Sequence, residues 1–258
     1  MTRIRLSTDG PLAVLTIDSP PLNLFEGELI AELIAAIDEI AAKPPRGLLI
    51  RAEGRVVSGG VDVHEFDGRT REQAAELWER LLRLVHTVEQ LPLPTVFAAH
   101  ALCLTAAFEL SLACDLLLAA ESARFGLVET VVGLTPAMGG TQRIAERAGP
   151  ARARELVMTG ELYPAATLER WNVVNRVLPD EGFEEAAVAF AKGLAEGPTR
   201  AHAATKAIVA AVREDGGPRA ADAIVPEQAG ELFATEDLQN AVRSFLQNGP
   251  GKATYEGR

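Results

Sequence analysis

Two glutamates lie in stretches where glutamate is unusual, and they are the residues of this chain best suited to chemistry. Glu109 stands in Ala-Ala-Phe-Glu-Leu-Ser-Leu and Glu129 in Gly-Leu-Val-Glu-Thr-Val-Val, with no lysine or arginine within three positions of either. A carboxylate buried among apolar groups is costly unless it is paired, hydrogen-bonded or protonated. Two such carboxylates in one short stretch therefore predict acid–base chemistry in a dry pocket.

Glycine-rich segments lie on either side of this pair. The turn Val-Ser-Gly-Gly-Val-Asp-Val covers residues 57–63, and Gly133, Pro136 and the run Gly-Gly-Thr-Gln-Arg at 139–143 follow Glu129. Glycine and proline at this density predict an irregular loop after Phe125 that leads into a helix near Thr141. The Ser-Gly-Gly turn alone would be a weak signal, because a simple tight turn has the same composition.

Alternating strand and helix patterns must position these residues. Apolar runs bounded by turn residues predict strands, and apolar residues at helical spacing predict helices. The predicted strands cover residues 12–18, 47–52, 95–102, 115–120 and 173–177. The predicted helices cover residues 26–43, 71–91 and 104–113, and further helices dominate after Pro150. This order predicts an α/β fold with parallel strand pairing and a helical C-terminal region.

Composition excludes several classes of protein. The 258 residues are 48% hydrophobic and carry a formal net charge of -11, so nucleic acid and anionic membranes are not expected as partners. No apolar run is long enough to cross a membrane, and the N-terminus lacks the apolar segment of a signal peptide. Cys103 and Cys114 show no metal-binding spacing, and two buried, reduced thiols in a cytoplasmic protein are expected.

Taken together, these features resemble the enoyl-CoA hydratase/isomerase (crotonase) superfamily. The resemblance covers nearly the whole chain and is carried most specifically by the two glutamates in register and by Gly-Gly-Thr-Gln-Arg at 139–143; Leu-Asn-Leu at 22–24, Arg-Glu-Leu-Val-Met-Thr-Gly at 154–160 and Asn-Val-Val-Asn-Arg-Val at 172–177 add to it. It implies a crotonase-like (ClpP/crotonase) spiral of ββα units over residues 1–195. A helical region at 196–258 would join subunits into a homotrimer or a homohexamer.

The resemblance also implies roles for individual residues. The backbone N–H groups of Val61 and Ala106 would form an oxyanion hole for the thioester carbonyl of an acyl-CoA, while Glu109 and Glu129 would handle water and a proton. Isomerases of the family typically keep only the second glutamate, so the presence of both favours an enoyl-CoA hydratase, as in fatty-acid β-oxidation. The residues implied in binding substrate or CoA are Gly60, Val61, Asp62, Val63, His64 and Ala106. No metal or separate cofactor is implied, since coenzyme A is part of the substrate.

The chain departs from the family pattern at three places. Thr105-Ala106-Ala107 replaces a glycine run, Ala137 replaces a frequent glycine, and His64 stands where many members have lysine. The added Cβ atoms are expected to narrow the pocket beside the thioester. These departures leave open another crotonase-family reaction (double-bond isomerisation, dehydration or thioester hydrolysis) or a non-catalytic binding member.

Plainer interpretations compete with several of these assignments. Glu109 could be a structural carboxylate held by a backbone N–H group, and Glu129 a surface loop residue. Asp62 is expected to be a helix N-cap or turn residue rather than a catalyst. We expect Asp115 to hold the strand that follows it, and His100 to be a core histidine.

Overall fold

A six-stranded sheet forms the centre of the structure, a computed structural model that describes residues 2–214 and 216–258. In spatial order its strands are β1 (Ile4–Asp9), β2 (Leu12–Ile17), β3 (Gly47–Ala52), β4 (Thr95–Ala99), β6 (Leu116–Ala120) and β9 (Arg176–Leu178). β1 is antiparallel to β2, whereas every other neighbouring pair is parallel. The predicted α/β class with parallel pairing is therefore confirmed.

Helices cover the sheet and explain why its central strands are apolar along their whole length. All six residues of β2 are buried, as expected for a strand shielded on both faces. α1 (Gly27–Ala42) buries a stripe at helical spacing that includes Leu29, Leu33 and Ile37. α2 (Arg71–Gln90) packs against α1, and α7 (Phe183–Ala195) contacts β2, β3 and β4.

A smaller sheet of three short strands lies beside the functional residues. It contains β5 (Cys103–Leu104), β7 (Arg124–Gly126) and β8 (Tyr163–Pro164), with β7 in the middle. β5 runs directly into α3 (Thr105–Ala113), and β7 is followed by a 3-10 helix at Glu129–Val132. The parallel pairing of β5 with β7 therefore brings the segments that carry Glu109 and Glu129 together.

The predicted strand boundaries were wrong in two places. The strand expected at 173–177 lies at Arg176–Leu178, because the N–H groups of Val173 and Val174 close a turn onto the carbonyl of Leu168 at the end of α6 (Ala165–Arg170). The strand expected at 95–102 already ends at Ala99. β1 was not predicted, since it contains only two apolar residues and only Ile4 of its six residues is buried.

The remaining helices are α4 (Gly140–Ala148), α5 (Pro150–Thr159), α8 (Thr199–Glu214), α9 (Pro218–Leu232) and α10 (Glu236–Asn248). The expected breaks at Gly-Pro and Gly-Gly-Pro separate α7 from α8 and α8 from α9. The division into 1–195 and 196–258 falls between α7 and α8 and stays a prediction. Across residues 2–214 and 216–258, none of the helices combines the length and apolar character that a membrane crossing requires.

Candidate active site

The glycine-rich turn at 57–61 lies past the carboxyl end of β3. Backbone hydrogen bonds hold it against the segment of the same chain around β5. The N–H groups of Val57 and Ser58 donate to the carbonyl of Leu102 (2.9 and 3.2 Å), and Leu104 N–H donates to Ser58 O (3.2 Å). The Ser58 hydroxyl donates to the Asn23 carbonyl at 2.7 Å, and Asn23 Nδ2 donates to three carbonyls that include Val57 O at 3.2 Å. The turn is thus fixed against the strand that leads into α3.

Thr105 adjoins both residues whose N–H groups the resemblance assigns to an oxyanion hole, Val61 and Ala106. Val61 N–H donates to Thr105 Oγ1 at 3.1 Å, and Ala106 follows Thr105 in the first turn of α3. N–H groups in a first helical turn have no acceptor within the helix, and the helix dipole makes them suited to an anion. Gly60 faces the same threonine, because a Cβ built at position 60 would lie 2.6 Å from Thr105 Oγ1.

Glu109 projects from a helix that is buried on every side. All nine residues of α3 are buried, and Glu109 is only 3% exposed. Its Oε2 accepts hydrogen bonds from Met138 N–H at 2.9 Å and Gly140 N–H at 2.6 Å. The glycine-rich loop after Glu129 therefore supplies the donors that hold this carboxylate.

An ion pair fixes the loop that holds Glu109. Arg143 of α4 donates to both oxygens of Glu89 on α2 (2.9 and 2.6 Å), and its Nη1 donates to the Gly139 carbonyl at 3.1 Å. Burial alone would raise the pKa of Glu89, but the hydrogen bonds and charges of Arg143 and Arg213 hold that pKa below its usual value. Gly139 has φ +100°, a left-handed conformation that favours glycine.

Glu129 has surroundings of a different kind. It opens the 3-10 helix after β7, and both of its carboxylate oxygens are shielded from solvent. Neither oxygen accepts a well-formed hydrogen bond from another described residue, and only the N–H group of Glu129 itself opposes the effect of burial on the pKa of this carboxyl. The interpretation of Glu129 as a residue of an exposed surface loop therefore does not fit the structure.

The environments of the two carboxyls raise both of their pKa values towards neutrality. Burial, and then the nearby charge of Glu129, raise the pKa of Glu109 to about 8, against the opposing hydrogen bonds from Gly140 and Met138. Burial raises the pKa of Glu129 to about 7. Around neutral pH the pair consequently holds one proton between them, which is the charge state that a combined acid and base need.

Asp62 and His64 lie at the outer end of the same turn. Asp62 caps a 3-10 helix at Val63–Glu65 by accepting from His64 N–H at 3.0 Å, so its predicted capping role is confirmed. Its carboxylate also contacts His64 Nδ1 at 2.6 Å, and this bond raises the pKa of the exposed imidazole. A protonated His64 would place a positive charge at the surface near the turn.

Other polar candidates have structural roles. Asp115 accepts from both the N–H and the hydroxyl of Thr95 at 2.8 Å and pairs with Lys206 at 2.9 Å, which confirms that it secures neighbouring strands. His100 was expected in the core, which was wrong, because the residue is only half-buried beyond the end of β4 and its Nε2 contacts the Gly54 carbonyl at 2.9 Å. Both cysteines are buried and free. In the part of the chain that the structure describes, no group of three or more His, Cys, Asp or Glu side chains could hold a metal ion.

Comparison with known proteins agrees with this geometry. The sequence profile described as enoyl-CoA hydratase/isomerase matches residues 7–257. A protein of Bacillus subtilis named "Probable enoyl-CoA hydratase" is 32% identical over 252 residues, 96% of both chains. The chain belongs to the enoyl-CoA hydratase/isomerase family. A second family member, a "Probable enoyl-CoA hydratase" of Mycobacterium avium, is 33% identical over 211 residues, 81% of both chains.

Solved structures of the family confirm the crotonase-like fold. An enoyl-CoA hydratase from Bacillus anthracis superposes with a TM-score of 0.91 at 26% identity, over 99% of this chain and 100% of its own. An enoyl-CoA hydratase from Polaromonas sp. JS666 gives a TM-score of 0.90 at 25% identity, over 98% of this chain and 99% of its own. The fold that the resemblance implied is therefore the fold of this family member.

Sequence analysis missed the groups that hold the site in place. Asn23 was noted only as part of a motif, yet its side chain bridges the loop before α1 and the glycine-rich turn. The contact of Glu89 with Arg143 joins residues 54 positions apart, and no local pattern could signal it. The donors from Met138 and Gly140 to Glu109 are backbone groups, whose only trace in the sequence is the glycine run.

Proposed function

We propose that this protein is an enoyl-CoA hydratase, which adds water across a 2-trans-enoyl-CoA to give a 3-hydroxyacyl-CoA. The observation that carries the proposal is the pair Glu109 and Glu129, shielded from solvent and holding one proton between them around neutral pH. Hydration needs one carboxylate to remove a proton from water and one carboxylic acid to donate a proton to Cα. The names of the relatives agree with the same reaction.

The two carboxyls would have different roles, with Glu109 as the base and Glu129 as the acid. In the free protein the pKa of Glu109, about 8, lies above that of Glu129, about 7, so the shared proton lies mainly on Glu109. Donors from Met138 and Gly140 on Oε2 favour the anion of Glu109, and the proposed roles require the proton to move to Glu129 when substrate and water bind. Glu109 would bind water through its other oxygen and take its proton as the new C–O bond forms at Cβ. Glu129 would give its proton to Cα, so the pair still holds one proton at the end of the reaction.

The thioester would lie at the amino end of α3. Addition of hydroxide to Cβ builds enolate charge on the thioester oxygen, and donors aimed at that oxygen lower the barrier. The N–H group of Ala106 would be one donor. The second would come from the side of Val61, whose N–H group points towards Thr105. Gly60, Asp62 and Val63 would line the path of the CoA chain, with His64 offering a cation to its phosphates.

A panel of enoyl-CoA thioesters of graded chain length tests the proposal. The wild-type protein should convert at least one of them into a product heavier by one water. Glu109→Gln and Glu129→Gln keep side-chain size but remove proton transfer, which typically contributes ~10²–10⁴-fold. We expect each change to lower turnover at least about a hundredfold, while binding of a saturated acyl-CoA persists.

Glu79→Gln, an exposed site on α2, is the matched control and should leave turnover unchanged. Near-normal hydration by Glu109→Gln would refute the assignment. A product of unchanged mass with a moved double bond would instead identify an isomerase.

A further inference from the structure

One of the two donors of the proposed oxyanion hole is already engaged by a side chain. Val61 N–H donates to Thr105 Oγ1 at 3.1 Å, and the Thr105 side chain is buried, with the residue 7% exposed. A hydroxyl that accepts one hydrogen bond still carries its own proton. Within the described part of the chain, no carbonyl or carboxylate accepts that proton. The hydroxyl thus accepts the hydrogen bond of Val61 N–H and still has its own proton available for donation.

Thr105, whose hydroxyl accepts this hydrogen bond, has an uncommon backbone conformation. Its φ of +45° lies in the left-handed region, where a β-branched residue is a genuine outlier. Such residues persist only where the surrounding structure fixes them, and they concentrate at functional sites. The strained residue is also the first residue of α3, immediately before Ala106.

Gly60 provides the space that the hydroxyl fills. A Cβ at position 60 would lie 2.6 Å from Thr105 Oγ1 and 3.3 Å from its Cγ2, and Gly60 itself has φ +107°. The threonine side chain therefore points at the glycine-rich turn. Gly60 and Thr105 fit each other as a pair across the site.

We propose that the Thr105 hydroxyl is itself an oxyanion-hole donor. This inference rests on the proposed function. Val61 N–H would polarise the hydroxyl, the hydroxyl would donate to the thioester oxygen, and Ala106 N–H would donate to the same oxygen. Hydrogen bonds in such a chain strengthen one another, and the final bond gains most as negative charge develops on the oxygen. Thr105 would then be a catalytic residue, in addition to narrowing the pocket beside the thioester.

The competing interpretation makes Thr105 a plug. In that case the hydroxyl occupies the Val61 donor only in the free protein, and the thioester oxygen must displace it. The two interpretations predict opposite effects when the hydroxyl is removed without adding bulk. If the hydroxyl is a relay, which passes the hydrogen bond of Val61 N–H on to the thioester oxygen, its removal lowers the reaction rate. If it is a plug, its removal frees the Val61 donor, and the rate stays the same or rises.

Thr105→Ala and Thr105→Ser separate them. Both remove the β-branching at φ +45°, so the backbone strain is reduced to a similar extent in each, and only serine keeps the hydroxyl. With the best enoyl-CoA from the panel, we expect Thr105→Ala to lower kcat at least about tenfold, since removal of one oxyanion donor typically costs ~10²–10³-fold and the freed Val61 N–H restores part of it. Thr105→Ser should lose less than about fivefold and so rescue the alanine variant.

A second readout follows polarisation without turnover. Infrared difference spectra of bound butanoyl-CoA should show the thioester carbonyl stretch moved to lower wavenumber in the wild-type and Thr105→Ser proteins, and moved less in Thr105→Ala. Thermal unfolding of each variant reports whether it is folded. An equal or higher kcat/KM in Thr105→Ala, or an equal carbonyl shift, overturns the relay. A wild-type protein that binds no acyl-CoA overturns the proposed function and the relay together, whereas normal hydration with an unmoved carbonyl overturns the relay alone.

Discussion

Glu109 and Glu129 are the same side chain in two different surroundings, and the difference is set by backbone hydrogen bonds. Glu109 is the more deeply buried, yet two N–H groups reach one of its oxygens. Glu129 is less deeply buried, and no other described residue donates a well-formed hydrogen bond to it. Burial disfavours both anions, and donors restore part of that loss, with two N–H groups of the neighbouring loop at Glu109 and only its own N–H group at Glu129. The higher pKa of Glu109 means that burial and the nearby charge of Glu129 outweigh these donors in the free protein.

The raised pKa of Glu129 makes a prediction about stability. Its pKa is about 7 in the folded protein, against an ordinary value of 4.5 for a glutamate side chain. Between these values the folded state binds more protons than the unfolded state, so the free energy of unfolding falls as pH rises. Glu129→Gln removes this titration. Because one pKa unit corresponds to about 1.4 kcal/mol, we expect the stability of the variant relative to wild type to rise by about 3 kcal/mol as the pH is raised from about 4.5 to about 8.

Urea unfolding at about pH 4.5 and at about pH 8, at one fixed protein concentration, measures this difference in the free energy of unfolding between variant and wild type. Glu79→Gln changes the same charge at an exposed position of α2, and its stability should follow the wild-type curve. Parallel curves for Glu129→Gln and wild type would contradict the burial of an unpaired carboxyl.

Single residues of the site could be predicted from sequence only where their neighbours made them conspicuous. Apolar flanks identified Glu109 and Glu129, and glycine identified the turns. Thr105 was expected to act through bulk, because a sequence gives no sign that its hydroxyl accepts a hydrogen bond from a residue 44 positions earlier. Its steric effect on the acyl pocket stays a prediction.

At the scale of elements, the loop before α4 and the helix α3 are fitted to each other around one carboxylate. A Cβ at position 140 would lie 2.8 Å from Glu109 Cγ and 3.0 Å from its Oε2. Glycine at 140 therefore allows the loop backbone to approach closely enough to donate. The ion pair of Arg143 with Glu89 then holds the loop on α2, so three elements determine where Glu109 lies.

Gly140→Ala should displace the Glu109 carboxyl while leaving the backbone conformation accessible. We expect turnover to fall by about 10²-fold, since a misplacement of about 1 Å can have this effect. Binding of a saturated acyl-CoA should change little. Overpacking should also lower the free energy of unfolding by about 1–3 kcal/mol. Steady-state kinetics and urea unfolding measure the two effects.

Gly193→Ala in α7 is the control, because a Cβ there would meet nothing within 4 Å. Alanine at that helical position should raise stability by about 0.5–1 kcal/mol and leave turnover unaffected. Full activity in Gly140→Ala would mean that Glu109 tolerates displacement, and the close approach would lose its functional meaning.

Elements with strong periodicity were predictable, and short ones were not. β3 was predicted to the residue, and α1 and α2 to within one residue at each end. β5, β7 and β8 contain only two or three residues each, too few to show an alternation. These short strands depend on tertiary pairing, although they are the ones that bring the two glutamates together.

At the scale of the whole molecule, the C-terminal region leaves an apolar surface uncovered. Val242, Phe245 and Leu246 on α10 are 50%, 59% and 79% exposed. The chain after α10 folds back, since Asp237 accepts from the N–H groups of Glu256 and Gly257 (2.7 and 2.8 Å). It borders a groove of about 450 Å³ beside α10 without covering Phe245 or Leu246.

We expect this surface to join copies of the chain into a homotrimer or homohexamer, because large exposed apolar side chains clustered on one helix face indicate an interface. Sedimentation at micromolar concentration should give three or six subunits. Phe245→Asp places a charge in the stripe and should shift the protein to smaller species, whereas Gln247→Asp adds the same charge on the opposite side of α10 and should not. A wild-type monomer with full turnover would contradict the assignment of the exposed apolar residues of α10 to a subunit interface.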